Sequence, residues 1–303
     1  MSDWLVSISG TPAGSNLAMC LALFAAVMHA VFGAIQKGRH DPWLTRGAVD
    51  FCYALMAMPF AFFVVPWPEP GMWVIFLGMF VIHVVYKITQ GKAYSYGAYT
   101  VVYPVVRGLG PLVTVAAAGL VFGEHFAVIQ WGGLLVLTLA IFALAAVNLS
   151  REKVDRHALK LALGWAVIAG FMVAAYTTYD AYGIRATPDP FTFLAWFFFI
   201  DGLVFPVVAI VKWNRMDNPP DLRPLMLRGF IGSIVAFLSF GSILMATRLD
   251  KVGEAAVLRE TSTVFAALIG WLFLKETVGP LRAVLMGLIA VGAVLVEVGG
   301  WHW

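Results

Sequence analysis

Charge is what this chain has little of. Of its 303 residues 12% are Asp, Glu, Lys or Arg, whereas 61% are hydrophobic; a soluble domain carries about twice that charged fraction. So much apolar surface exceeds what a water-soluble core hides, and the mean hydropathy of +0.86 agrees. Most of the chain therefore has lipid as its solvent. Cysteine is equally scarce. Cys20 and Cys52 both fall in apolar runs, which gives neither a disulfide framework nor a metal-ligand spacing. No G-x-x-x-x-G-K-[ST] loop occurs, so direct use of ATP is not expected, and H-E-x-x-H, G-x-S-x-G and C-x-x-C are missing too. An intramembrane enzyme would need a nucleophile with its base, or a metal set, and the histidines have no obvious serine partner. No cofactor and no metal are expected. The net charge of +3 is small and scattered, so no nucleic-acid partner is expected either.

What is present is a series of apolar blocks at 15–36, 47–66, 72–91, 98–122, 127–148, 161–185, 190–212, 226–248, 254–274 and 280–299. Each is long enough to cross a bilayer core as a helix. Between them lie short stretches of turn residues and charge, such as "PWPEPG", "SREKVDRHALK" and "KWNRMDNPPDLRP", which leave no room for a soluble domain. Pro59, Pro104, Pro111 and Pro206 sit inside blocks, as helices in lipid tolerate. Trp67, Trp73, Trp131, Trp213, Trp301 and Trp303 lie near block ends, where indoles favour the headgroup boundary. The start "MSDWLVSISG" lacks a basic region followed by a cleavage motif, so no removable signal is expected.

One element is written twice. Arg107 stands seventeen positions before Glu124, and Arg259 stands seventeen before Glu276, with almost wholly apolar or small residues between. Aligning the arginines places the element in the fourth block of each half. The spacing predicts an all-α integral membrane protein of ten transmembrane helices, built as two five-helix repeats (1–150 and 151–303) around a central cavity. Five is odd, so the second copy enters the membrane from the other side. Inverted repeats of this kind suit secondary transport, because the two halves can exchange conformations about a midplane site.

An ionisable side chain at bilayer depth costs several kcal/mol (~3 on insertion scales) unless it meets water or a partner. The candidates for a solute site are His29 and Gln36 in the first block, which share a helix face with Gly33, then Tyr86, Tyr103 and Arg107. From the second half come Tyr176, Thr177, Asp180, Arg259, Glu260 and Thr263. His29, Asp180 and Glu260 are the candidates for proton traffic. Arginines fork onto carboxylate or phosphonate oxygens, while the acids and tyrosines answer an amine or hydroxyl. Structural readings compete. Arg107 and Arg259 could snorkel or satisfy carbonyls freed by proline, His83 and Lys87 could reach the interface, and Asp180 could be interfacial. Glu124 and Glu276 read as turn caps ahead of the next block, and Asp50 and Asp201 as pairs with neighbouring helices.

The ten-block count, the "GE" and "KE" closing the fourth block of each half, and the stretches "AAVMHAVFGAIQK", "YPVVRGLGPL" and "LRETSTVFAALIGWLFLKE" resemble the drug/metabolite transporter superfamily, EamA type. The resemblance implies an exporter or exchanger of a small polar, zwitterionic or anionic metabolite, such as an amino acid or aminophosphonate-like compound, working by alternating access in a bacterial cytoplasmic membrane. It equally admits a drug or lipid exporter of the same fold. The expected partners are that solute and the bilayer, with the chain a monomer or homodimer. One departure stands out: the sixth-block counterpart "AAYTTYDAYGIR" has no histidine to match His29. The basic loops around Lys37, Arg39 and Arg46, Arg151, Lys153 and Arg156, and Lys212, Arg215 and Arg223 place those loops in the cytoplasm and both termini outside, whereas the resemblance implies termini inside.

Overall fold

The computed structural model describes residues 2–36, 41–97, 99–150, 156–273 and 279–300. They form α-helices and short connections, with no strand among the described residues. A short α1 (Ser2–Ile8) leads into α2 (Pro12–Gln36), α3 (Pro42–Phe63), α4 (Met72–Tyr96), α5 (Tyr99–Phe122) and α6 (Val128–Leu149). The second half runs through α7 (Arg156–Ala186), α8 (Pro190–Asp201), α9 (Val204–Trp213), α10 (Leu222–Leu249), α11 (Val252–Arg259), α12 (Ser262–Phe273) and α13 (Pro280–Gly299). Every apolar block of the sequence is thus helical. Among the described residues eight segments, counting α8 and α9 as one, are long and apolar enough to cross a membrane. α3, which carries Arg46 and Asp50, falls outside that set, as do the short α11 and α12.

Two blocks expected as single spans are broken. The seventh divides at Gly202 and Leu203 into α8 and α9, and the ninth divides at Glu260 and Thr261 into α11 and α12. Each break frees backbone groups in mid-span, which a protein tolerates where the segment is packed in protein rather than facing lipid. Gly202 illustrates the packing: a Cβ there would lie 2.6 Å from the Asp50 carbonyl oxygen and 2.5 Å from the Ala54 Cβ.

The helices pair across the two halves. α2 packs on α10 and α7 on α4, α3 lies against α8 and α9, and α6 lies against α13. In this pairing each half's first span meets the other half's third, which is consistent with two related halves. α3 and α8 also begin alike. Asp41 precedes Pro42 and accepts from the backbone N–H groups of Trp43 (2.9 Å) and Leu44 (3.3 Å). Asp189 precedes Pro190 and accepts from Phe191 (3.1 Å) and Thr192 (3.2 Å). An aspartate cap with proline in the first turn satisfies orphan donors and presets φ.

At the end of α5, Gly123 takes φ +65°, the left-handed conformation that ends a helix and suits glycine. The turn carries Glu124 not onto the following span, as a cap read from sequence would have it, but onto the other half. Its carboxylate accepts from the N–H groups of Val252 (2.7 Å) and Gly253 (3.1 Å) at the start of α11. Arg185 of α7 lies 3.5 Å from the same carboxylate. Glu276, the repeat's other glutamate, lies outside the described residues.

The α6–α13 contact is a close backbone crossing. A Cβ on Gly133 would meet the Gly292 carbonyl oxygen at 2.7 Å, and one on Gly292 would meet that of Gly133 at 2.6 Å. Small residues are what permit such an approach in lipid. Gly292→Val should therefore cost about 1–3 kcal/mol through overpacking and lower the thermal midpoint of the purified protein. Gly287→Ala, on the same helix where nothing lies within 4 Å of an added Cβ, should leave the midpoint unchanged. Equal midpoints for the two variants would contradict this packing.

Candidate functional site

Two polar clusters lie in the interior. The first is carried by α5, α7 and the α11–α12 break. Arg107 donates to Glu260 Oε1 at 2.9 Å, to Ser262 Oγ at 3.2 Å and, through Nε, to the Tyr103 hydroxyl at 3.2 Å. Tyr103 lies four residues before it on the same helix, so their side chains stack on one face. Glu260 stands where α11 ends. Its second oxygen has no hydrogen-bond partner among the described residues, nor does Nε of Arg259. Arg259 makes its side-chain hydrogen bond to the Tyr176 hydroxyl of α7, at 3.4 Å. It is 4% exposed yet has no carboxylate within ion-pair distance among the described residues. The two arginines of the repeat therefore differ. Arg107 is paired, and Arg259 is a buried cation with one weak neutral partner.

The second cluster spans α3, α4, α7 and α8. Lys87 Nζ lies 2.7 Å from Asp50, 2.8 Å from Asp201 Oδ1, 2.9 Å from the Asp201 carbonyl and 3.1 Å from the Tyr53 hydroxyl. Tyr53 in turn donates to Asp201 Oδ2. Arg46 reaches Asp50 at 2.7 Å. His83 Nε2 lies 2.8 Å from Asp180 Oδ2, and its Nδ1 lies 3.5 Å from Asp201 Oδ1. The other Asp180 oxygen has no hydrogen-bond partner among the described residues. Helical spacing explains the grouping: His83 and Lys87 are four apart on α4, as are Arg46 and Asp50 on α3.

These placements correct several sequence expectations. His83 and Lys87 do not reach the interface; both are buried in ion pairs, because α4 runs on to Tyr96 and leaves them in mid-helix. Asp180 is fully buried rather than interfacial. Arg46, counted by sequence as a loop charge, belongs to α3. Arg107 and Arg259 do not snorkel, and both are closed off from solvent. An open groove of about 440 Å³ does lie between α4, α5 and α7, but its walls include Ile82, Val113, Phe171, Tyr179 and Tyr182 and none of the candidate site residues.

Of the remaining candidates, Thr177 is buried beside Tyr176, with its hydroxyl unbonded among the described residues. Thr263 is used locally, donating to the Glu260 carbonyl at 2.9 Å. Tyr86 accepts from Gln90 at 2.6 Å, and its ring lies 4.8 Å from that of Tyr176. His29 lies within the electrostatic reach of both Arg107 and Arg259, and its ring sits 6.4 Å from Phe32. Gln36 closes α2, but its side chain lies outside what is described. Lys37, Arg39, Arg151, Lys153 and the terminal Trp301 and Trp303 lie outside the described residues. Sequence reasoning ranked Asp50 and Asp201 low. Their signal was available: each follows, on α3 and α8, the same Asp-Pro start.

Removing one member of a buried ion cluster leaves its partners' charge uncompensated, at a cost of about 3–5 kcal/mol. Lys87→Met should lower the thermal midpoint sharply, and Lys87→Arg should recover part of the loss. A midpoint unchanged in Lys87→Met would mean that the amine does not hold α3 and α8 together.

Residues 160–298 match the model of the EamA-like transporter family. A chloroplastic WAT1-related protein of Arabidopsis thaliana is 22% identical over 194 residues, covering 62% of this chain and 46% of that protein. The chain thus spans about half the length of the curated relative it matches. A solved crystal structure, described simply as that of a protein, superposes with a TM-score of 0.70 at 14% identity, covering 94% of this chain and 98% of the other. That likeness concerns the fold alone. The second half of this integral membrane protein, with its copy of the doubled arginine element, thus matches the EamA-like transporter family.

Proposed function

We propose that the chain is a secondary transporter for a small metabolite bearing a carboxylate or phosphonate, anionic or zwitterionic, which it carries by alternating access between two inverted halves, 1–150 and 151–303, in a cytoplasmic membrane. The single observation that carries this reading is Arg259. A guanidinium buried in a membrane interior without a carboxylate is costly, and a solute anion would relieve that cost. The fork of Nε and a terminal nitrogen suits a planar carboxylate or a phosphonate edge. The unpartnered oxygens of Glu260 and Asp180 would take the ammonium of a zwitterion. Tyr176, Thr177 and Tyr103 supply the surrounding hydroxyls, with His29 within reach. On this reading the burial of these groups is what a state with the site facing neither side would require.

A second reading has its own observation. The apolar groove between α4, α5 and α7 is lined by aromatic and aliphatic side chains and would accept a lipophilic drug or a lipid chain, as an exporter of such compounds requires.

A stabilisation screen on the purified protein separates the two. Acetate, methylphosphonate and glycine should raise the thermal midpoint saturably, with a gain in stability of about 2.7 kcal/mol at roughly 100 times the Kd, and tetramethylammonium should not. Loss of a charge-assisted hydrogen bond is worth about 1.5–3 kcal/mol, so Arg259→Gln should weaken the binding of acetate about ten- to hundredfold. Stabilisation by lipophilic cations alone, indifferent to Arg259→Gln, would favour the second reading.

A further inference from the structure

The charges of the two clusters, taken together, have a count that constrains what crosses with the solute. On one side stand the buried Lys87, Arg107 and Arg259 with Arg46, whose side chain is 28% exposed; on the other stand Asp50, Asp180, Asp201 and Glu260. Four cations face four carboxylates, and the two clusters together are neutral when His83 is neutral. The geometry accommodates that state. His83 Nε2 lies 2.8 Å from Asp180, at hydrogen-bond length, while Nδ1 stands 3.5 Å from Asp201. A proton added at Nδ1 would point at that carboxylate oxygen.

Neutrality is local as well as global only if the clusters are taken together. The α5–α11 cluster holds two guanidiniums and one carboxylate, an excess of one positive charge. The α3–α4–α7–α8 cluster holds three carboxylates against Arg46 and Lys87, an excess of one negative charge. The two are adjacent through Tyr176. Its hydroxyl meets Arg259 at 3.4 Å, and its ring centroid lies 5.0 Å from that of His83. The field of Arg259 reaches Asp180.

Resting on the solute reading above, we propose that His83, held between Asp180 and Asp201, is a proton site, and that a net-negative solute at Arg259 is carried together with one proton on His83. A monoanion at Arg259 cancels the positive excess there and leaves the second cluster one negative charge over. A proton from the water on the open side, added at Nδ1 and donated to Asp201, restores neutrality. The two neutral closed states are then the empty, unprotonated one and the one loaded with both anion and proton. Anion alone or proton alone would enclose a net charge in hydrocarbon, which is strongly disfavoured. That difference is what couples the two ligands, and the effect is reciprocal. A zwitterion brings its own positive charge and needs no proton.

The groups that face His83 are Asp180 and Tyr176 from α7, Asp201 from α8, and Asp50, Tyr53 and Arg46 from α3. Lys87 and Tyr86 share its own helix, and α10 contributes the uncharged Phe240, whose ring lies 5.8 Å away. Beyond Tyr176 stand Arg259, Arg107, Glu260 and His29. Among these, only His83 has a ring nitrogen placed against two carboxylates.

The test uses the full-length purified protein in weakly buffered detergent solution, with acetate as the monoanion and glycine as the zwitterion. Proton uptake on binding is read with a pH indicator, and affinity is read from the thermal shift across about pH 5 to 8, where histidine titrates. Acetate should take up one proton per molecule bound at the upper end of that range. Its apparent affinity should fall about tenfold per pH unit once the site deprotonates, the slope of a one-proton linkage. Glycine should show neither effect. His83→Gln should bind acetate more weakly than wild type at low pH and show a flat profile. Acetate binding with no proton uptake and no slope in the wild-type protein overturns the proton site while leaving the solute reading intact, and this holds even if the variant fails to fold. A slope that persists in folded His83→Gln also overturns it. Failure of both acetate and glycine to stabilise the protein overturns the solute reading and the proposal with it.

Discussion

The organisation of this protein follows from the difficulty of keeping a charge in hydrocarbon. Apolar packing between helices supplies little specificity in lipid, because the tails are as apolar as the side chains. Buried charge does supply it, since each ion must find a defined partner or the fold fails. Lys87 shows how that works. Its amine meets carboxylates from α3 and α8 as well as a carbonyl at the α8–α9 break. One side chain of α4 thereby joins a helix of the first half to the broken span of the second. The Arg107–Glu260 pair does the same between α5 and the α11–α12 break. Both broken spans are thus held, at their interruptions, by a cation from the other half.

The halves resemble each other most in their scaffolding and least in their chemistry. Asp-Pro starts, reciprocal pairing of first and third spans, and an arginine in each fourth span are common to both. The differences concentrate at the polar clusters. Arg107 has a glutamate, whereas Arg259 has no carboxylate within ion-pair distance among the described residues. α4 presents His83 to α7 and Lys87 to α3 and α8, whereas α10 meets α2 through the Ser239 hydroxyl on the Ala25 carbonyl. A strictly symmetric interior would pair every charge with its counterpart. Departure from symmetry is what leaves one buried guanidinium without an ion-pair carboxylate among the described residues.

Much of the fold was legible in composition and spacing. Apolar runs of span length fixed the helices to within a few residues, because in lipid a backbone must satisfy its own hydrogen bonds. The doubled Arg–Glu spacing marked α5 and the α11–α12 pair as related and singled out Arg107 and Arg259, which lie with Glu260 near Tyr176. What the sequence concealed was partnership. His83 and Lys87 look interfacial because α4 appears to end near Gln90, and only its continuation to Tyr96 shows them in mid-span. Asp50 and Asp201 lie 151 positions apart, and nothing local says that they share one amine. Glu124 reads as a local cap, since its real partners, the N–H groups of Val252 and Gly253, are backbone groups with no sequence signature. The helix breaks were hidden too, because Leu203 and Thr261 are ordinary residues in lipid-soluble runs.

The central claim is that the closed interior around Arg259 opens to water to admit an anion. Thr177, buried next to Tyr176 and without a hydroxyl partner among the described residues, is the position from which to watch it. With Cys20 and Cys52 replaced, Thr177→Cys in sealed vesicles should react with a membrane-impermeant thiol reagent applied to either side, and acetate should protect it. A thiol that reacts from neither side, or reacts equally with and without acetate, would contradict the account.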